Sequence, residues 1–244
     1  MKLAVIPARG GSKRIPRKNI KLFSGKPMIA WSIAAALKSN CFDRVIVSTD
    51  DHEIAEVARL QGAEVPFVRP AALSCDHTAT IPVIRHAIEF LSDKGQTPTQ
   101  VCCIYATAPF LHAADISRGL AVLESTACDY AFSTTSYAFP IQRAIRINEQ
   151  GKVGMFLPEY ANTRSQDLEE AYHDAAQFYW GQAQAWSSEK VIFEANSAAV
   201  HIPRYRVQDI DTIEDWEMAE YLFIAMNLER ESVHNLPNRN QYDI

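Results

Sequence analysis

The chain has 244 residues, 24 lysines and arginines against 29 acids, a net charge of −5 and 48% apolar residues. That balance suits one large globular domain whose core needs no disulfide or metal staple, and it argues against a general nucleic-acid coat. No run approaches the roughly 18 apolar residues of a membrane span. The opening MKLAVIPARGG is too short and too interrupted for a signal peptide. Five cysteines without CxxC or metal-ligand spacing fit a reducing compartment, so a cytoplasmic protein is expected.

In chain order, KLAVI at 2–6 reads as a buried strand ended by Pro7. Residues 27–39 carry apolar positions at helical spacing behind Pro27, a plausible first helical residue. RVIVST at 44–49 is a β-branched strand, and Asp50-Asp51 open a helix that Gly62 stops. EVPFV at 64–68 is expected to be another strand, 78–92 largely a helix, VCCIYA at 101–106 a fully buried strand and 113–125 a helix. Strands alternating with helices predict an α/β fold with a doubly wound, mostly parallel sheet. Ligands of such sheets sit beyond the carboxyl ends of the strands, so the loops at 7–19, 48–51 and 105–111 should open onto one crevice.

Past residue 129 the rhythm changes. DYAFSTTSY, AIRIN and KVGMF look like strands and turns of an antiparallel excursion, while 157–176 is polar without helical period. FYWGQAQAW returns to apolar character, AAVHI at 198–202 reads as a strand, and Thr212 with Asp215 has the spacing of a capping box. With no repeat, low-complexity segment or linker, the expectation is a single domain over 1–229 with an insertion at about 130–180 and a polar tail over 230–244.

The sharpest feature is the run ARGGSKRIPRKN at 8–19, which holds five of the 24 basic residues of an acidic chain. Gly10 and Gly11 permit positive φ and close backbone approach, so successive N–H groups can cradle an anion. Arg9, Lys13 and Lys18 would then neutralise a polyphosphate. The run is neither GxxxxGK[ST] nor GxGxxG, which demotes ATPase and NAD-dehydrogenase readings. The seven histidines are dispersed, and neither HExxH nor GxSxG occurs, so a zinc enzyme or a nucleophilic hydrolase fits poorly.

IPARGGSKRIPRKNIK resembles the opening of the CMP-sugar synthetases of the acylneuraminate cytidylyltransferase family. IPRKNIK, IYATAPFL and YHDAAQFYW are most similar to its pseudaminic acid branch, and the likeness runs to about residue 228. The resemblance implies a sheet of the nucleotide-diphospho-sugar transferase type with an antiparallel dimerisation insertion, hence a homodimer. It implies transfer of CMP from CTP to the anomeric hydroxyl of a nine-carbon acidic sugar, with magnesium as cofactor and pyrophosphate as product.

By position, the resemblance gives the nucleotide to Ala8, Arg9, Gly10, Gly11, Ser12, Lys13, Lys18, Asn19, Arg69 and Thr80. Arg9, Lys13, Lys18 and Asp211 carry the catalytic charge. Asn19 suits a base edge but equally suits a turn, and Thr80 equally suits an ordinary helix cap. Period-2 spacing puts Asp209 and Asp211 on one face of an extended segment. Two hard oxygen ligands beside phosphates suit magnesium, and the family places its metal at the matching DID; two loop or capping aspartates are the plainer reading. Sugar contacts fall to Tyr105, Thr107, Arg143, Arg164, Tyr172, His173, Gln177 and Tyr179, with the two arginines as carboxylate readers. Tyr179 and Trp180 also fit as core or dimer-contact aromatics. N-acetylneuraminate, legionaminate or keto-deoxyoctulosonate as acceptor, and a nucleotide-binding module without catalysis, are the competing functions.

Overall fold

In chain order the elements are strand β1 (Lys2–Pro7), the short pair β2 (Leu22–Phe23) and β3 (Lys26–Pro27), helix α1 (Met28–Ser39), β4 (Arg44–Ser48), α2 (His52–Leu60), α3 (Thr80–Ser92), β5 (Gln100–Ile104), α4 (Ala113–Thr126), β6 (Tyr130–Ser136), the hairpin β7 (Ile145–Ile147) and β8 (Val153–Met155), β9 (Tyr172–Gln182), α5 (Ala183–Ser187), β10 (Ser197–His201) and α6 (Ile213–Asn235). This is a computed structural model that describes residues 1–194 and 196–235. The polar tail expected from residue 230 therefore begins as the end of α6, and 236–244 lie outside the described residues.

Six strands form the main sheet in the order β10-β6-β9-β5-β1-β4. β1 pairs in parallel with β4 and β5, and β6 with β10, while β9 runs antiparallel between β5 and β6. Strand residues alternate between two cores, as a sheet covered on both faces requires. Ala4 and Ile6 of β1 join Ile29, Ile33 and Leu120 from α1 and α4 on one face. Leu3 and Val5 join Ile84, Leu91 and Trp186 from α3 and α5 on the other. The doubly wound, mostly parallel sheet is therefore present. On α4, a Cβ at Gly119 would come within 2.5 Å of the Phe178 ring, so glycine sets how closely that helix packs on β9.

Two expectations change. EVPFV contributes only an isolated bridge between Glu64 and Ile46 and no strand, because the chain turns away past the sheet edge to present Arg69. Tyr130–Ser136 and Tyr172–Gln182 are strands of the main sheet, so the excursion is confined to 137–171, with β7 and β8 as its own small sheet. All five cysteines are free. Cys102 and Cys103 are fully buried, and burial pushes both thiols up. No helix among the described residues is long and apolar enough to cross a membrane.

Candidate active site

Beyond the carboxyl ends of β1 and β5 lies a cleft of about 380 Å³. Arg9, Ser12, Lys13, Arg14, Lys18 and Asn19 from the first loop, Arg69, Thr80, Tyr105, Thr107 and Asp211 all line it. The loop at 48–51 stands behind this wall. Asp50 accepts the Gly10 N–H at 3.0 Å, and the Thr49 carbonyl accepts the Arg69 N–H at 2.7 Å.

The basic loop is shaped from behind by a third apolar cluster, in which Ile15, Phe23, Phe110, Ile210 and Trp216 are buried together. Neither Gly10 nor Gly11 has positive φ. Gly10 is needed for space instead, because a Cβ there would meet the Asp51 carboxylate at 2.7 Å. The left-handed residue is Arg17, at φ 56, a conformation that costs energy for a side-chain-bearing residue. Its guanidinium holds Asp51 at 2.5 and 3.0 Å and Glu53 at 2.5 Å. Asp51 also caps α2 by accepting the Ile54 N–H at 2.9 Å. The Arg17 hydrogen bonds and this cap draw its carboxyl down to about 2.

Four cations of the cleft, Arg9, Lys13, Arg14 and Lys18, rest on carboxylates. Arg9 and Lys13 both hold Asp76, whose carboxyl they pull below its ordinary value, Lys13 foremost. Arg14 reaches Asp211 at 2.9 Å; Lys18 reaches the same carboxylate at 3.3 Å and the Ile210 carbonyl at 2.7 Å. Arg69 differs. It is only 4% exposed, its Nε donates to Ser74 at 3.2 Å, and one of its terminal nitrogens stays 3.6 Å from Asp50 without a hydrogen-bond partner. Burial lowers its pKa, yet a guanidinium stays charged. Arg69 is thus a buried cation on the cleft wall whose charge is countered by Asp50 behind it.

Asn19 is buried, and its Nδ2 holds the Arg9 carbonyl at 3.0 Å, so it braces the loop and lines the cleft at once. Ala8 is buried with its N–H on the Ser48 carbonyl at 2.9 Å. Thr212 and Asp215 form the expected capping box: the Thr212 hydroxyl accepts the Asp215 N–H at 3.2 Å, and the Asp215 carboxylate accepts the Thr212 N–H at 2.7 Å. Asp215 accepts the Asp211 N–H as well, at 3.1 Å, so the helix start orients the DID segment. Asp209 is exposed and outside the cleft lining. Desolvation by its neighbours, and then the Asp211 charge, carry its carboxyl above the usual range. No group of three or more His, Cys, Asp and Glu side chains suited to a metal occurs among the described residues. A pair of hard carboxylates under mutual repulsion does fit a divalent cation that takes its remaining ligands from phosphates and water.

Behind the other wall, the Tyr105 and Tyr179 rings lie 5.3 Å apart, and Thr80 Oγ1 is 3.3 Å from the Tyr105 hydroxyl. Tyr179 is buried and donates its proton to Asp174; burial pushes both phenols up. Gln177 is buried, donating to the Arg206 carbonyl at 2.6 Å while its oxygen has no partner. Arg206 is held by a buried bidentate pair with Asp115 at 2.6 and 3.2 Å. The remaining sugar candidates stand apart from the cleft. His173 Nδ1 faces the Asp174 carbonyl at 2.8 Å, and exposed Tyr172 donates to Glu170 at 2.7 Å. Arg143 holds the Thr163 carbonyl, and Arg164 lies exposed 3.9 Å from Asp167, both on the excursion.

Asp76, Arg14 and Asp50 escaped sequence reasoning. Arg14 sat in the basic run without a distinguishing signal. Asp76 carried none, since only folding brings 74–79 opposite the first loop. Asp50 read as the start of a helix.

The cytidylyltransferase model matches residues 3–233. The chain belongs to the cytidylyltransferase family. As a member it is a nucleotidyltransferase. A pseudaminic acid cytidylyltransferase of Campylobacter jejuni serotype O:2 is 47% identical over 91% of this chain and 95% of its own length. Its counterpart in serotype O:23/36 is 46% identical over the same shares. The solved structure of CMP:2-keto-3-deoxy-manno-octonic acid synthetase complexed with CTP has a TM-score of 0.67 at 17% identity, covering 92% of this chain and 99% of that one. That likeness concerns the fold.

Proposed function

We propose that the protein transfers CMP from CTP to the anomeric hydroxyl of a nonulosonic acid, pseudaminic acid, releasing CMP-pseudaminic acid and pyrophosphate in the cytoplasm. The observation that carries the nucleotide half is Arg69, buried and under-satisfied in a cleft ringed by Arg9, Lys13 and Lys18. The acceptor rests on the Campylobacter jejuni relatives.

In this reading the triphosphate displaces Asp76 and takes Arg9 and Lys13 for itself. Asn19 offers its amide to the base, with Arg69 on the cytidine side. The sugar oxygen attacks the α-phosphorus in line. The bond from that phosphorus to the bridging oxygen breaks, pyrophosphate leaves, and the hydroxyl proton passes to solvent. Catalysis is positioning and charge neutralisation by preplaced cations. Asp209 and Asp211 would hold a magnesium ion, which when bound supplies further positive charge to the phosphates. Lys18 and Arg14, both on Asp211, keep that carboxylate at the cleft.

A homodimer through the excursion belongs to the same reading. Phe139, Ile145, Ile147, Val153 and Phe156 are all exposed there, a clustering unusual for a monomer surface. In a dimer, Arg143 and Arg164 on that excursion would be available to an acceptor's carboxylate across the interface. Light scattering that finds only monomer would overturn it.

The decisive experiment is pyrophosphate release from CTP and magnesium with pseudaminic, legionaminic or N-acetylneuraminic acid. Release with pseudaminic acid alone is expected. Release only with another acid keeps the chemistry and overturns the acceptor; release with none overturns the reaction.

A further inference from the structure

The segment that carries Asp209 and Asp211 has no regular structure to hold it. Among the described residues, 208–211 make no hydrogen bond to another part of the backbone, so their position is set by what grips the two ends. Downstream, Asp215 accepts the Asp211 N–H at 3.1 Å and Lys18 donates to the Ile210 carbonyl at 2.7 Å. The Ile210 side chain is buried in the third apolar cluster. Upstream the grip is Arg206, which is only 6% exposed. Its guanidinium donates twice, at 2.6 and 3.2 Å, to buried Asp115 in the first turn of α4, and its carbonyl accepts the Gln177 amide of β9 at 2.6 Å. Asp115 takes a further donor, Arg118, at 3.0 Å, and that side chain also holds the His201 carbonyl at the end of β10 at 2.7 Å. Arg206 is thus fixed through its side chain against a helix and through its backbone against a strand, three residues before Asp209.

Burying such a pair is a poor way to gain stability. Charges taken out of water lose hydration that their attraction barely offsets, and apolar residues of the same volume do as well or better. A two-pronged guanidinium–carboxylate pair fixes direction as well as distance, which an apolar contact does not. We infer that the Asp115–Arg206 pair clamps the 207–211 segment, keeping Asp209 within reach of the divalent cation that Asp211 would bind at the cleft. Without the clamp, two like-charged carboxylates on an unsupported segment would move apart. The inference rests on the proposed magnesium site. Neither Asp115 nor Arg206 lines the cleft, so both are positioning residues.

Removing one partner strands a buried charge and destabilises the fold, so the test replaces both. Asp115→Leu with Arg206→Met removes the fork and keeps the volume, and half-exposed Arg118 can turn to solvent. CTP binding is measured by calorimetry without acceptor sugar, once in magnesium and once in EDTA, so that no turnover enters. In the wild type magnesium should tighten CTP binding. In the double variant that gain should shrink about tenfold, with the affinity in EDTA changed by less than about twofold and the melting temperature retained. Because the clamp acts through Asp209, adding Asp209→Asn should cost no more than about twofold further. Arg206→Lys, which keeps the charge pair but not the fork, should lose about threefold of the gain and serves should the double variant fold poorly. A full magnesium gain in either variant, or an equal loss of affinity in EDTA, overturns the inference. No tightening by magnesium in the wild type, measured first, overturns the metal site itself, and the inference with it.

Discussion

The two walls of the cleft are built from opposite chemistry. One wall, which the proposed reaction gives to the phosphates, is a set of cations resting on carboxylates: Arg9 and Lys13 on Asp76, Arg14 and Lys18 on Asp211. The other, which the same proposal gives to the acceptor, is lined by aromatic rings of Tyr105 and Tyr179, with Tyr179 donating to Asp174. Charge on the first wall suits any polyphosphate, since point charges read little shape. Rings and hydroxyls on the second are more sensitive to shape. On the proposed reaction, affinity and selectivity would be lodged in different chemistry on either side of one cleft.

The contrast can be broken most severely from behind the phosphate wall. Trp216 is buried against Phe23, with ring centroids 5.5 Å apart, in the cluster that also holds Ile15 and Ile210. Trp216→Ala should cost about 3–5 kcal/mol of stability and raise KM for CTP while leaving sugar KM in place, as denaturant unfolding and steady-state kinetics will show. Equal damage to both KM values would mean that the walls are not separately supported. Lys13→Ala should lower kcat about 100-fold or more with an unchanged melting temperature. A near-normal rate would remove Lys13 from the phosphate wall.

Asp51→Asn keeps a capping residue on α2 but removes the charge that Arg17 holds, and it should cost no more than about 2 kcal/mol. The sign follows from a carboxyl whose pKa is depressed by folding, to about 2. The stabilisation is complete above the ordinary aspartate range near about 4 and is lost as pH falls through that depressed value. Wild type and variant should therefore differ in melting temperature at neutral pH and converge at the acid end; a pH-independent gap would refute the assignment. The smallest effect is expected from Asp76→Asn. Freeing Arg9 and Lys13 from a solvent-exposed, screened partner changes little, so KM for CTP should fall by no more than about fivefold. A rise would show that Asp76 holds the cations in place for the nucleotide.

The primary sequence carried the fold class clearly, because period-2 and helical apolar patterns report burial faces directly. KLAVI, RVIVS and VCCI became adjacent parallel strands, and the Thr212–Asp215 spacing became a reciprocal cap. It misjudged EVPFV, whose β-branched residues promised a strand but which meets the β4 edge only at Glu64, ahead of Pro66, which has no N–H to give a ladder. It also read 130–136 and 172–182 as part of the insertion, since one antiparallel strand within a parallel sheet has no local signature.

The basic run at 8–19 and the alternating carboxylates at 209–211 were legible in the sequence alone, because dense charge in an acidic chain and period-2 acids are written in residue types, whereas Arg69 came only from the resemblance. Their convergence was decided only by the tertiary structure. Asp76 opposite Lys13, Asp211 beneath Lys18 across 193 positions of chain, and Asp174 behind Tyr179 are contacts between distant loops and a bulged strand. Such contacts depend on strand order and on the path of the backbone between elements, which no local pattern of residues encodes.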